Sequence, residues 1–383
     1  MKISKQFYKQ TKSDFEEFLN ALRISPDTLS FLENTPKKYF YAFMRDTLSI
    51  LSELKSKQEK FDDIYKGFSK FGQKQLLQAF FIEEILSTNL IESIYSTRHD
   101  IFSVMNQVKG INDKKIVSIV NSYKALIDMN LEQIKSLEDI SNLYDQIVLE
   151  SLDTDDKPDG LYFRKNNVYI TDGLTNVHSG LIGEEIINNA MTEFLELYNS
   201  KLETFEKMIL CHFIFETIHP FYDGNGRFGR FLFSYGIYKE KNSMSAFLIA
   251  DAFAKEKSKY YKAFKDARSH NEFGFLNGFV EDISQIIISK IGEAIKDISL
   301  KKELINNIEP PKELKKSEQT IFKLLSEASI LSDYGLSNTE IQEETGLSKA
   351  SVDKAIKRFK DKEMLESIQF GHYVYHKVKM ETH

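Results

Sequence analysis

Residues 219–230 read HPFYDGNGRFGR, and the order of their chemistries governs how the rest of the chain is read. Glycines at 224 and 226 let a backbone take positive φ and come close to a ligand, so that successive N–H groups converge on one anion. A helix that opens near Arg227 adds the positive end of its dipole. Asn225 can donate its amide into the same concavity, and Arg227 and Arg230, three apart, share a helix face and reach back toward it. Together these groups amount to a phosphate cradle. His219 can take a proton from an attacking hydroxyl near neutral pH, and the carboxylate of Asp223 is a natural holder for Mg²⁺ beside phosphates. Pro220 fixes the backbone after the histidine, and Phe221 can anchor the loop in the core. The set suits transfer of a phosphorus-containing group from a nucleotide to a hydroxyl.

Outward from this stretch the spacing is chiefly helical. Apolar residues recur at helical spacing over 183–198 and 203–217, and FGRFLFSYGIYKEK carries a helix onward from the glycines. SKYYKAFKDARSH and FGFLNGFVEDISQIIISKIGEAIKDI extend the pattern to about residue 300, while KYFYAFMRDTLSILSELKSK and KQLLQAFFIEEILSTNLIESI predict helices in the amino-terminal half. YFRKNNVYIT (162–171) alternates around a polar NN pair and predicts one short hairpin. NNIEPPKELKKSEQ (306–319) reads as a linker. Beyond it the order is helix, helix, helix and a β-pair meeting at Gly371, with serines placed to cap the second and third helices. That is the order of a winged helix-turn-helix. The expected fold class is therefore mainly α, a helical core with a short β-hairpin plus a small winged helix-turn-helix domain.

The bulk numbers limit the function classes. With 383 residues, 42% apolar and 28% charged, the chain is long enough for two or three domains, and a net charge of −6 gives no general pull toward nucleic acid or anionic lipid. The single cysteine, Cys211, lies in the apolar run MILCHFIF and reads as core filler, as His212 beside it does; one cysteine excludes an internal disulfide and a cysteine-built zinc site. The start lacks the apolar stretch of a secretory signal and no segment is long enough to span a membrane, so a cytoplasmic protein with no membrane partner is expected.

HPFYDGNGRFGR resembles the signature of the Fic family, with every motif position filled, including the second arginine. The resemblance implies a protein adenylyltransferase that moves AMP from ATP, with Mg²⁺, to a hydroxyl side chain of a target protein and to itself. It implies His219 as general base, Asp223 as the Mg²⁺ ligand, Gly224, Asn225 and Gly226 as the phosphate loop, Arg227 and Arg230 on the outer phosphates, and Phe228 and Gly229 within the ATP-binding segment. The phosphate-moving Doc branch has lysine in place of the NGR pattern, which favours an AMP donor here. GLYFRKNNVYITDG resembles the family's flap, whose edge aligns a target segment by β-addition; Val168, Tyr169, Ile170 and Thr171 would line the nucleotide, and Tyr260 would pack near the adenine. Arg268 stands where some relatives have asparagine, and NVHSGL replaces the usual proline-rich step after the flap.

STNLIES (87–93) resembles the inhibitory helix of one Fic class, with Thr88 and Glu92 in place and Ser93 where Gly or Asn is usual. Glu92 would pair with Arg230 and hold ATP in an unproductive pose. The implied organisation is an amino-terminal helical region at 1–110 with the inhibitory helix at about 85–95, a Fic core at 111–305, a linker at 306–319 and the winged helix at 320–383. Residues 311–383 carry equal numbers of basic and acidic side chains, so DNA is a less favoured partner of Lys354, Lys357 and Arg358 than a protein surface or a second copy in a homodimer. The alternatives of another kind are a DNA-binding regulator whose Fic core senses nucleotide, and removal of AMP by the same site with Glu92 orienting a water.

Overall fold

The computed structural model describes residues 11–106, 114–128, 133–148, 157–171, 176–370 and 373–379. Helix α1 (Lys12–Ile24) leads into an antiparallel pair, β1 (Thr28–Phe31) and β2 (Tyr39–Ala42). This corrects the helix expected over KYFYAFMRD. All four residues of β2 are buried, and its other edge is also used: Phe40 N–H donates to Gly274 O (2.9 Å) and Leu276 N–H to Phe40 O (2.9 Å). A run of aromatics buried on both faces suits a doubly paired strand better than a one-sided helix. Helix α2 (Arg45–Lys66) follows, then α3 (Lys70–Ile91), α4 (Arg98–Met105), α5 (Lys114–Ile127) and α6 (Leu137–Ile147).

The next pair of strands, β3 (Tyr169–Thr171) and β4 (Asn176–Ser179), is antiparallel, with Tyr169 opposite Ser179 and Ile170 opposite His178. A hairpin is present where one was expected, but its turn is not at Asn166 and Asn167. Asn166 belongs instead to an irregular anchor: Lys165 N–H and the Asn166 amide donate to Asp159, and Asn166 N–H donates to the Tyr222 hydroxyl (3.1 Å). Pairing starts only after that anchor, and the residues joining β3 to β4 lie outside the described residues.

Helix α7 (Glu184–Tyr198), α8 (Thr204–Ile218), α9 (Asn225–Lys241), α10 (Ile249–Lys255), α11 (Lys257–Arg268) and the long α12 (Asn277–Asn306) complete the helical body. α8 is buried nearly all round, with α7, α9, α12 and α2 packed about it. A helix apolar on every side belongs at the centre of a bundle. Cys211 is buried within it, and burial pushes its thiol up; His212 is buried as well and burial pushes it down to about 3.

The carboxy-terminal part runs α13 (Lys316–Leu331), β5 (Leu336–Ser337), α14 (Asn338–Thr345), α15 (Lys349–Asp361), β6 (Leu365–Phe370) and β7 (Tyr373–Val378), with sheet order β5-β7-β6. Ser337 accepts from Glu340 N–H and Ser348 from Ser351 N–H, the two expected caps. Ile321, Leu325, Ile341, Val352, Ile356 and Phe359 make a second core, in which Leu314 of the double-proline stretch is also buried. Arg358 is turned inward to Glu318 (2.6 Å), so it does not join Lys354 and Lys357 on the exposed face as expected. This part rests on α3 and α4: Tyr334 stacks on Phe102 at 3.8 Å, and Arg98 binds Glu83 at 2.6 Å beside Asp333. Among the described residues no helix is long and apolar enough to cross a membrane.

Candidate active site

The site lies at the corner between α8 and α9. α8 ends at His219, whose backbone takes the left-handed conformation (φ 54°, ψ 63°) while its N–H still donates to Phe215 O at 2.8 Å. The chain thus turns sharply at the histidine. Phe221 then plunges into the core, its ring stacked on Tyr144 at 3.5 Å, and the Tyr144 hydroxyl donates to Asp223 O at 2.9 Å. Gly224 has φ 70°, and a side chain there would meet Val148 as well as strain the backbone. α9 begins at Asn225, two residues earlier than expected, so the asparagine and second glycine form its first turn.

Asn225 corrects the expectation that its amide points into the concavity. Its side-chain oxygen accepts Phe221 N–H (3.0 Å) and its nitrogen donates to Phe221 O (2.8 Å), so it staples the corner shut across four residues. Asn suits this place because one planar amide satisfies a donor and an acceptor of the same backbone residue. Asp223 is 51% exposed at the mouth of the corner, with Arg227 Nη2 3.7 Å from its carboxylate; Arg227 itself is buried.

Arg230, one turn further along α9, is 1% exposed. It reaches the end of α3, where Nε donates to Thr88 Oγ1 (2.9 Å) and Nη2 to Thr88 O (3.2 Å) and to Glu92 Oε1 (2.7 Å). Burial works against the guanidinium charge, but Glu92, Tyr260 and Glu216 outweigh it and hold Arg230 above its ordinary pKa. The same carboxylate oxygen also lies against α9: a Cβ on Gly226 would fall 2.3 Å from Glu92 Oε1. An internal anion therefore occupies the ground over the first turn of α9. Ser93, just after Glu92, has φ 57°, which gives a physical reason for the Gly or Asn expected there. Lys257 Nζ closes the end of α3 by donating to Ile91 O at 3.0 Å.

Several residues at this site were not singled out in the sequence. Arg164, fully buried, donates Nε to His219 O (2.9 Å) and Nη2 to Leu181 O (2.8 Å) and Ile218 O (3.5 Å), and a fourth bond, from Nη1, reaches Asn166 O. It ties the base of the flap to the histidine's own carbonyl, and burial lowers it to about 10. Glu216 sits on the last turn of α8 with Oε2 3.8 Å from His219 Nδ1. Burial raises it to about 7, against the pull of Arg230 and Arg268. Arg268 donates Nη2 to Glu216 O at 2.9 Å and lies over the Phe264 ring, so the residue flagged as a departure serves the carboxy-terminal end of α8.

Tyr260, expected beside the adenine, packs toward α8. It is interior, its hydroxyl 2.9 Å from His212 Nε2 and its ring 4.5 Å from Phe253. Tyr261 is the ring that faces solvent, and its phenol is electrostatically coupled to Glu92, Arg230 and Glu216. A tyrosine pair on one helix cannot tell from sequence which member turns inward. Of the four flap residues expected beside the nucleotide, Tyr169, Ile170 and Thr171 form β3, and Val168 O accepts Gly180 N–H at 3.3 Å.

A left-handed histidine beside a helix amino terminus, with a carboxylate at the mouth and two buried arginines on the following helix, defines a mainly α protein built around an anion cradle. Residues 134–236 match the model of the Fic/DOC family. Among solved structures the chain is similar to a Fic family protein from Desulfovibrio desulfuricans G20, with TM-score 0.56 and 17% identity, over 90% of this chain and 98% of that one. A Fic domain containing signaling protein from Bacteroides thetaiotaomicron VPI-5482 gives TM-score 0.46 at 18% identity, over 64% of this chain and 97% of the other. Fic-1 (residues 134–508) from C. elegans gives 0.47 at 16%, over 67% and 74%. No curated protein matches. At such identities the first of these speaks for the fold, and along nearly the whole chain.

The donors at the corner fit a nucleotide triphosphate and a hard cation. The ground beside Gly226 already accepts a carboxylate, and among the described residues no three His, Cys, Asp or Glu side chains gather into a metal cage. A lone exposed carboxylate such as Asp223 is what Mg²⁺ uses when phosphates complete its shell.

Proposed function

We propose that the chain is a protein adenylyltransferase, transferring AMP from ATP to a hydroxyl of a target protein and of itself, and that Glu92 restrains it. The observation that carries this is the Glu92 carboxylate lying between Arg230 and Gly226, over the first turn of the helix that follows His219. The same positions that suit a carboxylate suit a phosphate, since both are drawn by the helix amino terminus and the guanidinium.

With Glu92 withdrawn, Arg230 and Arg227 are available to the outer phosphates. His219 takes the proton of the incoming hydroxyl; the new O–P bond forms at the α-phosphorus while the bond to pyrophosphate breaks, and the arginines receive the leaving charge. Mg²⁺ held by Asp223 would supply neutralisation of the phosphate charge. The edge of β3 and β4 aligns a target segment by strand addition. The buried arginine Arg164 keeps flap and histidine in register.

The test is labelling with α-³²P-ATP against γ-³²P-ATP in the Glu92→Gly protein with Mg²⁺. Label from the α position alone is expected, and His219→Asn in that background removes it; asparagine keeps the left-handed backbone while lacking a base. Label from γ and not from α would make the protein a phosphotransferase instead, and no label from either would end the enzymatic reading.

A further inference from the structure

We propose that Glu216 is the positioning carboxylate of His219: it accepts the Nδ1–H of the ring and so leaves Nε2 as the nitrogen that receives the substrate proton. This rests on the reading of His219 as general base. Four observations support the assignment. Glu216 Oε2 is 3.8 Å from Nδ1, within about 1 Å of hydrogen-bond distance. Nδ1 is a buried ring nitrogen on the side of the ring that approaches Glu216. Glu216 Oε1 is buried and makes no hydrogen bond among the described residues, an expensive arrangement for a group with no task. Space for it exists because residue 229 is glycine: a Cβ there would sit 2.5 Å from Oε1.

The carboxyl is faced by charged and titratable groups from every side. Arg230 comes from α9, Glu92 from the end of α3, and Arg268, Tyr260 and Tyr261 from α11. Arg230 and Arg268 favour the carboxylate; burial and Glu92 favour the acid. When the hydroxyl proton moves to Nε2 the ring becomes an imidazolium, and an ionised Glu216 offsets that charge where a protonated one does not. Glu92 would then act twice. Besides occupying Arg230, it favours the acid form of Glu216, and its withdrawal would shift Glu216 toward the carboxylate that supports the base.

Two variants in the Glu92→Gly background test this. Glu216→Gln keeps the shape and removes the charge. It should lower kcat by roughly tenfold or more, part of the 10²–10⁴ that a positioned base contributes, leave KM for ATP unchanged, and remove the limb of the pH–rate profile belonging to Glu216. Glu216→Leu removes the acceptor, and ¹⁵N spectra of histidine-labelled protein should show His219 passing from one tautomer, Nδ1–H, to a mixture. A kcat loss that is uniform with pH, or a tautomer unchanged in Glu216→Leu, assigns Glu216 a merely structural part and overturns the proposal. Should the open protein label nothing in any form, the adenylylation reading fails, while the tautomer comparison still decides whether Glu216 orients the ring.

Discussion

The corner at 219–230 and the end of α3 at 88–93 meet at Arg230, yet they are held in opposite ways. The corner is stapled by near neighbours: Asn225 to Phe221, Arg227 beside Asp223, Phe228 N–H to Gly224 O, and the Phe221 ring on Tyr144. Asn225 and Phe221 are buried, and the bonds between them satisfy both partners. The end of α3 reaches the same arginine across 138 residues of sequence, through a Glu92 side chain 30% exposed and a Ser93 backbone in a region that serine avoids. One is a locally stapled corner, and the other is a carboxylate set against it from a distant helix. On the proposed reading, a strained, part-exposed contact of this kind could be released by a modest free energy without disturbing the corner it lies against.

The widest separation between the two regions should come from His219→Asn in the open Glu92→Gly protein. Loss of the base is expected to cut α-label incorporation at least 100-fold while the melting temperature stays near that of the parent; a matching fall in stability would mean that the corner, too, is only marginally held. Next comes the plug itself. Removing a charge-assisted contact of about 1.5–3 kcal/mol by Glu92→Gly should raise self-labelling by roughly 10- to 150-fold, read as initial rate at saturating ATP, and equal rates in the two proteins would show that Glu92 closes nothing.

A smaller effect is expected from Glu84, buried in α3 one turn before Thr88, which accepts the Ser234 hydroxyl of α9 (3.0 Å) and Ala250 N–H (2.8 Å). Burial raises it to about 8. A carboxyl whose folded pKa lies above its unfolded one contributes stability at low pH that is lost as pH rises from about 4.5 toward 8. Urea midpoints should therefore fall across that window, and Glu84→Gln should flatten the fall; an identical slope would show that Glu84 is ionised where α3 meets α9. The smallest change is Ser93→Asn. Relieving a left-handed cost of about 1 kcal/mol should tighten the plug and reduce basal labelling a few-fold, whereas an increase would mean that the strain holds Glu92 in place.

The corner was largely legible because its bonds are local. The order of His219, Gly224, Asn225 and Arg230 carries its own geometry, and the all-apolar α8 before it could only be a central helix. Thr88, Glu92 and Arg230 were named from resemblance, and they meet. What failed did so where periodicity is ambiguous. KYFYA is aromatic on both faces and takes the strand only because Phe40 is paired on two edges, one of them by Gly274 and Leu276 far along the chain. The Asn166–Asn167 pair looks like a hairpin turn until Asp159 and Tyr222 claim Asn166. Asn225 was given the right place and the wrong direction, since its nearest partner is the backbone four residues back.

By itself the sequence determined a histidine at a helix end, a glycine-bearing corner and a following helix with two arginines, because glycine torsions, an i to i+4 staple and a helix dipole are all properties of twelve consecutive residues. Only the tertiary structure decided that Glu92 lies over Gly226, that Tyr261 and not Tyr260 faces outward, that Arg164 holds the histidine's carbonyl, and that Glu216 stands beside the ring. Those are consequences of burial and of charges brought together from distant helices, and neither is written in the spacing of any one segment.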